Sequence, residues 1–250
     1  MRVQTGDNVG IGGVIISGNV PKRVLVRAIG PSITGLTGLL ADPVLELHGP
    51  AGFTTIVNNN WRDTQEAEIL ATGIAPTNNL EAAIIGDLTP GAYTGIVRGN
   101  GNTSGIALVE VYDLNQSVAS KLANISTRAL VGTSDNIVIA GFILGNNPGN
   151  DRIVVRGIGP SLTALGVPNA LANPTLELRD NNGTLLFSNN DWQDNQAQAA
   201  ELIAAGLAPT NPLESGIAAT LSPGLYTALL AGVNNGTGIG LVEVYDRGGP

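Results

Sequence analysis

Hydrophobic and polar positions alternate along this chain in short runs, and each run occurs twice. Residues 9–16 (VGIGGVII) and 137–144 (IVIAGFIL) are apolar, rich in β-branched side chains and bounded by Asn, Ser or Gly, which predicts a strand in each place. The next runs, VLVRAI at 24–29 and IVVRGI at 153–158, stop at Gly30-Pro31 and Gly159-Pro160. Proline has no backbone donor, so a strand ends there. Short strands are predicted at 44–47 and 175–178, returning at 53–57 and 184–188. The turn between the second pair, Asp180-Asn181-Asn182-Gly183, has residues that tolerate the positive φ of a tight hairpin. Further strands fall at 80–88 and 213–221. The last runs, 92–98 with 106–112 and 225–231 with 239–245, are joined by Asn- and Gly-rich turns and read as a closing hairpin in each half.

The period changes once per half. DTQEAEILATG (63–73) and DNQAQAAELIAAG (194–206) have helical character. Asp63 is placed to cap the first, with Glu66 three residues on and Gly73 at its end.

The halves match in order. GIALVEVYD at 105–113 answers GIGLVEVYD at 238–246, and VLVRAIGPS, ADPVLELHG, NNNWRD and APTNNLEAAI each have a counterpart. The offset grows from 129 at Arg27/Arg156 to 133 at Tyr93/Tyr226, so small insertions sit in loops between fixed elements. The expected fold is all-β: two tandem antiparallel β-sandwich (jelly-roll-like) domains, each with one short helix. Their boundaries are 1–113 for the first repeat, 114–127 for a linker or edge strand, and 128–250 for the second. Residues 123–126 (ANIS) read as a first strand of repeat two. Repeat one has no such segment before Met1, which predicts a missing edge strand there.

Composition narrows the function. Charged residues make up 13%, aromatics 4%, and Gly supplies 34 of 250 positions, a β- and loop-rich balance. Net charge is −8 and lysine occurs only at Lys22 and Lys121, so there is no basic face for nucleic acid. The absence of cysteine excludes disulfides, thiolate metal sites and a cysteine nucleophile. No apolar run is long enough to span a membrane. No signal sequence is visible at Met1, so either one has been removed or the chain is a segment of something longer. An acidic, Lys-poor, Asn/Gly/Thr-rich chain fits an extracellular or cell-surface location.

Candidate chemistry is sparse. His48 is the single histidine and its counterpart is Arg179, so no Ser-His-Asp arrangement recurs. Arg27 and Arg156 sit mid-strand among apolar residues, as do Glu46, Glu110, Glu177 and Glu243. Two readings exist: a carboxylate pair of the glycosidase kind, or Arg–Glu bridges that hold the sheets. Recurrence in both halves favours the bridges, with Arg27 reaching Glu46 or Glu110 and Arg156 reaching Glu177 or Glu243. The oxygen-rich loops 58–63 and 189–194 suit Ca²⁺ through Asn60, Asp63, Asn190, Asp191 and Asp194. Alternatively Asp63 and Asp194 cap helices. Trp61 and Trp192 fill a core or a seam, or stack on sugar rings. No cofactor other than calcium is expected.

The segment LELRDNNGTLLFSNND, followed by LSPGLYTALLAG, resembles the bacterial pre-peptidase C-terminal type of β-sandwich. The whole unit is similar to tandem repeats of large secreted proteins, in which LANIST-, VRAIGPS-, LADPxLELH- and LVEVYD-like segments recur in this order. The resemblance implies accessory, adhesive or structural work outside the cell and brings no catalytic residues. The expectation is therefore a non-enzymatic structural protein that self-associates head to tail into a filament or surface layer. The alternative is an accessory module that binds carbohydrate or a surface polysaccharide.

Overall fold

In the computed structural model, residues 1–6, 8–145 and 149–249 are described. The chain divides into two compact units, Met1–Ile125 and Ser126–Pro250. Unit 1 contains β1 (Arg2–Val3), β2 (Gly10–Ser17), β3 (Lys22–Ile29), β4 (Pro43–His48), β5 (Ile56–Asn58), helix α1 (Glu66–Ala71), β6 (Ala82–Leu88), β7 (Gly91–Gly99), β8 (Gly105–Ile106) and β9 (Leu108–Asp113). β10 (Lys121–Val131) begins in unit 1 and ends in unit 2. Unit 2 continues with β11 (Val138–Leu144), β12 (Asp151–Ile158), β13 (Pro174–Asp180), β14 (Leu185–Asn189), α2 (Gln196–Ala204), β15 (Ser215–Leu221), β16 (Gly224–Gly232) and β17 (Gly238–Asp246). The protein is all-β with antiparallel sheets, as its alternating pattern predicts. None of the described helices is long and apolar enough to cross a membrane.

Two sheets make the sandwich of each unit, and in unit 1 β1 and β8 form a further two-stranded one. In unit 1 the first has the order β6-β3-β9, and the second runs β2-β7-β4-β5, with β10 beside β2. In unit 2 the corresponding sheets are β15-β12-β17, with β10 beside β17, and β11-β16-β13-β14. Between the unit 1 sheets lie Val14, Ile16, Val24, Val26, Leu45, Leu47, Ile84, Tyr93 and Val97, all buried. Every second residue of each strand points there, which is the two-residue period at work. Burying one such aliphatic side chain contributes about 1.5–3 kcal/mol.

The expected closing hairpins are absent. Residues 92–98 and 106–112 do not form a closing hairpin, and neither do 225–231 and 239–245. β7 pairs with β2 and β4, whereas β9 pairs with β3. In unit 2, β16 pairs with β11 and β13, whereas β17 pairs with β12. The connection crosses from one sheet to the other. A short 3-10 turn at Asn100–Asn102, with Gly101 at φ +63°, starts the crossing. Gly105 then passes so close to Leu40 that a Cβ would stand 2.4 Å from its backbone nitrogen. Both arms have an apolar face, so the pattern alone fits a hairpin or a crossing equally well.

The β3 sheet is covered on both faces. Val24, Val26 and Ala28 face the sandwich core, while Leu25 faces a second cluster with Trp61, Ile69, Ala83 and Ile85. α1 and the Trp61 loop thus form a lid over the outside of this sheet. In unit 2, Val154, Trp192, Ala199, Leu202 and Ala218 make the same second cluster. The helices start later than the sequence suggests. Asp63 and Asp194 are not their caps. Gln65 precedes α1 without capping it through its side chain, and Asn195 caps α2 by accepting the N–H groups of Ala197 and Gln198 at 3.1 Å each. The Asp63 N–H instead closes a turn on the Asn60 carbonyl at 2.9 Å. Gly73 and Gly206 end the helices at positive φ, as expected.

The segment at 114–127 contains the start of β10, which runs on to Val131. Unit 1 has a short counterpart to the end of β10: Arg2 and Val3 pair with Ile106 and Gly105, and the Met1 amino group donates to the Ala107 carbonyl at 2.9 Å.

Candidate functional site

Three polar constellations recur in the two units, and each begins with a residue that the strands place where water is scarce. The first starts at Arg27, mid-strand in β3 on the lidded face. Its Nε and Nη2 donate to Glu110 at 2.9 and 2.5 Å, Nη2 also to the Tyr112 hydroxyl at 2.9 Å, and Nη1 to the Ile74 carbonyl. The Tyr112 hydroxyl donates onward to the second Glu110 oxygen at 2.9 Å. In unit 2, Arg156 donates to Glu243 at 2.9 and 2.5 Å, to Tyr245 at 3.0 Å and to the Leu207 carbonyl at 3.3 Å. β3 pairs Arg27 directly with Glu110, and β12 pairs Arg156 with Glu243, so the sheet register itself sets the ion pairs. The guanidinium also lies over the tyrosine ring, 4.8 Å from its centre in unit 1 and 5.1 Å in unit 2.

Glu46 and Glu177 lie elsewhere. Glu46 accepts from Arg98 at 2.7 Å and lies 3.5 Å from His48 Nε2, and these contacts hold its carboxyl below the usual range, the Arg98 hydrogen bond foremost. Glu177 accepts from Arg179 at 2.6 Å. His48 is half-buried, with Nδ1 at 3.2 Å from the Thr55 hydroxyl.

The second constellation was not singled out in the sequence. Glu81 and Glu214 are 0% exposed. One oxygen of Glu81 takes the N–H of Gly30 at 3.0 Å, the N–H of Ser32 at 2.9 Å and the Ser32 hydroxyl at 2.6 Å. Glu214 takes the N–H of Gly159 at 3.2 Å, the N–H of Ser161 at 3.0 Å and the Ser161 hydroxyl. This explains the recurrent Gly-Pro-Ser. A Cβ at Gly30 or Gly159 would meet the carbonyl oxygen of Leu40 or Leu171 at 2.1 Å, Pro asks for no acceptor, and Ser caps the carboxylate. Hydrogen bonds to a charged acceptor contribute about 1.5–3 kcal/mol each. The available signal was the Glu in LEAAI and LESGI, present in both repeats just before a strand.

The third is the Asn/Asp loop. Asn60 Nδ2 donates to Asp63 at 3.3 Å, while Asp63 and Asp194 are themselves exposed. The buried oxygens lie on other atoms. Oδ1 of Asp42, Asn59 and Asn60, and Oδ1 of Asn173, Asn190 and Asp191, are shielded from solvent and have no hydrogen-bond partner among the described residues. Asp42 and Asn173 stand one residue before β4 and β13, whose partners β5 and β14 lead into the loops. Each unit keeps one carboxylate and two amides, with the carboxylate at Asp42 in one and Asp191 in the other. Among the described residues, no three His, Cys, Asp or Glu side chains gather into a metal-holding group.

The tryptophans form part of the lid. Trp61 is 1% exposed, its indole N–H donates to the Asn78 carbonyl at 3.2 Å, and Arg62 lies 4.1 Å over its ring. Trp192 is 8% exposed. Neither ring offers a face to a sugar.

Fold and site together define an antiparallel β-sandwich repeat whose recurrent charged residues are paired within each unit. No family model matches the chain, and no curated protein does. Among solved structures, the STIV MCP is similar at 14% identity over 98% of this chain and 93% of that one, with a TM-score of 0.25. PNGF-II is similar at 11% identity over all of this chain and 58% of that one, with a TM-score of 0.24. At these scores neither likeness bears on what this chain does.

Two outcomes follow from the Arg–Glu–Tyr group. Arg27→Ala leaves Glu110 and the Ile74 carbonyl short of a partner, and the pair is partly screened by water. Denaturant unfolding should show a loss of roughly 2–3 kcal/mol; an unchanged midpoint would show the pair to be solvated. The second concerns alkaline pH. Burial foremost, and then the Glu243 carboxylate, push the Tyr245 phenol up to about 12. A phenol held neutral by the fold contributes stability that is complete below its unfolded value of 10.0 and is lost as pH rises towards about 12. Stability should therefore fall across that window, and Tyr245→Phe should flatten the fall.

Proposed function

We propose that this chain is a non-enzymatic structural protein of the cell surface or extracellular space, a tandem β-sandwich protomer that joins end to end into a filament or layer. One observation carries the reading: the two units have unlike free sheet edges. Among the described residues, β9 ends its sheet in unit 1 along Leu108–Asp113, and β11 ends its sheet in unit 2. A free edge presents unpaired donors and acceptors to another strand. When the two edges differ, the contact between copies is heterologous, and such contacts propagate into open chains unless the rotation closes a ring. The paired charges and lidded tryptophans support the same reading, because they serve each unit internally. The likeness to pre-peptidase C-terminal sandwiches and secreted repeats fits it too. The accessory-module reading needs an exposed platform for polysaccharide, and the buried tryptophans do not supply one. Analytical ultracentrifugation and negative-stain microscopy test the proposal. Mass should rise with concentration and linear particles should appear. A sharp monomer at high concentration would reject assembly and promote the accessory module.

A second proposal concerns calcium, favoured by the orphaned oxygens of Asn60, Asn190 and Asp191. Buried oxygens without donors suit a hard cation. Asp42 and Asn59 in unit 1 and Asn173 in unit 2 carry further oxygens of this kind, whereas Asp63 and Asp194 are exposed. A ligand bound only to the native state raises the melting temperature by mass action. Adding Ca²⁺ should therefore raise it and chelation should reverse the change; identical melts would remove calcium as a structural ligand.

A further inference from the structure

Comparing the two units strand by strand shows what belongs on the edge of β11. β2 and β11 are equivalent: β2 pairs along β7 from Gly10↔Val97 to Ile16↔Gly91, and β11 pairs along β16 from Val138↔Leu230 to Leu144↔Gly224. In unit 1 the far side of β2 is covered by the start of β10. Ser120 anchors that cover, since its hydroxyl donates to the Val20 carbonyl at 2.6 Å and accepts the Val20 N–H at 3.1 Å. Leu122 then packs onto the sandwich core. In unit 2 no strand lies on that side of β11 among the described residues.

The uncovered edge leaves a mark on both faces of β11. On the inner face, Phe142 and Leu144 are each 9% exposed, where their counterparts Val14 and Ile16 are 3% and 2%. On the outer face, Ile143 is 69% exposed against 37% for its counterpart Ile15. Ile143 pairs across the sheet with Leu225, itself exposed, while Ile15 pairs with the smaller Ala92. Ile139 adds a third exposed aliphatic side chain on the same face. An apolar strand with an open ladder is the arrangement that protein edges ordinarily avoid.

We infer that the β11 edge is the receiving site for an extended strand of the β10 kind, residues 120–125 of a second copy of the chain, exchanged from the β2 edge that they cover in their own unit. The inference rests on the end-to-end reading above and replaces its β9–β11 edge contact with this strand exchange. The strand adds main-chain hydrogen bonds to β11, and its leucine covers Phe142 and Leu144 as Leu122 covers the core of unit 1. Unit 1 shows that this sequence fits this kind of edge.

The test uses the full chain and a labelled synthetic peptide, VASKLANIST, copied from residues 118–127. Fluorescence anisotropy should show saturable binding of one peptide per chain. Hydrogen exchange should show new protection at the amides of β11. A peptide carrying Leu122→Asp should bind about tenfold more weakly or worse, since the aspartate cannot cover the apolar inner face. Because the change is in the peptide, the folding of the protein is not at stake. Absence of saturation at millimolar peptide, equal binding by the aspartate peptide, or protection confined to β9 or to unit 1 would each overturn the inference. The assembly reading fails separately. A monomeric chain that binds the peptide at β11 keeps the receiving edge and loses self-assembly. A chain that polymerises with β11 unprotected by peptide keeps assembly and loses the receiving edge.

Discussion

β3 and β12 are covered on both faces, by the sandwich core on one side and by a helix with its tryptophan loop on the other. The middle of a strand in that position leaves a polar side chain little water, so it must find its partner inside the protein. Arg27 and Arg156 therefore sit opposite Glu110 and Glu243 in register, with a tyrosine hydroxyl bridging the second carboxylate oxygen. Lys22, 1% exposed at the start of β3, answers the same demand through Asp113 and the Asn115 carbonyl, each at 2.8 Å. At the other end of the strand, the N–H groups freed where pairing stops are taken up by Glu81. The charged residues most reminiscent of an active site are thus explained by burial.

That constraint also ties distant segments together. The Glu81 side chain holds the loop after β3, while its backbone carbonyl takes the Trp61 N–H at 2.9 Å, and Trp61 closes the lid over Leu25. Glu214 and Trp192 repeat the connection at 2.8 Å. One buried carboxylate therefore fixes a strand end, a loop and the entry to a helix. Its loss would be felt by all three, because the buried Gly30 N–H would be left without an acceptor.

The units differ at their edges more than in their cores. The first unit has a covered β2 and a β9 free along most of its length; the second has β17 beside β10 and a free β11. β10 accounts for both differences, because its start belongs to one unit and its end to the other.

Much of this was legible in the chain. The two-residue period of the apolar runs placed most strands within a residue or two, but β5 starts at Ile56 rather than 53, β10 runs on to Val131 rather than 126, and β1 was not expected. The repeat gave two copies of one fold, and Gly73 and Gly206 marked the helix ends. Local chemistry settles these features: alternation makes one face apolar, proline stops a ladder, and glycine tolerates a left-handed turn. Pairing partners were another matter. The runs at 92–98 and 106–112 are close in sequence and fit a hairpin, yet the glycines between them let the chain cross to the opposite sheet. Arg27 had two candidate carboxylates, and only the β3–β9 register chose Glu110 over Glu46. Nothing along the chain marked Glu81 as buried; its donors are the N–H groups that the folded Gly-Pro-Ser loop brings to it. The sequence by itself determined which faces must be buried; only the tertiary structure decided which strands bury them together, because period and propensity act along the chain and register acts across it.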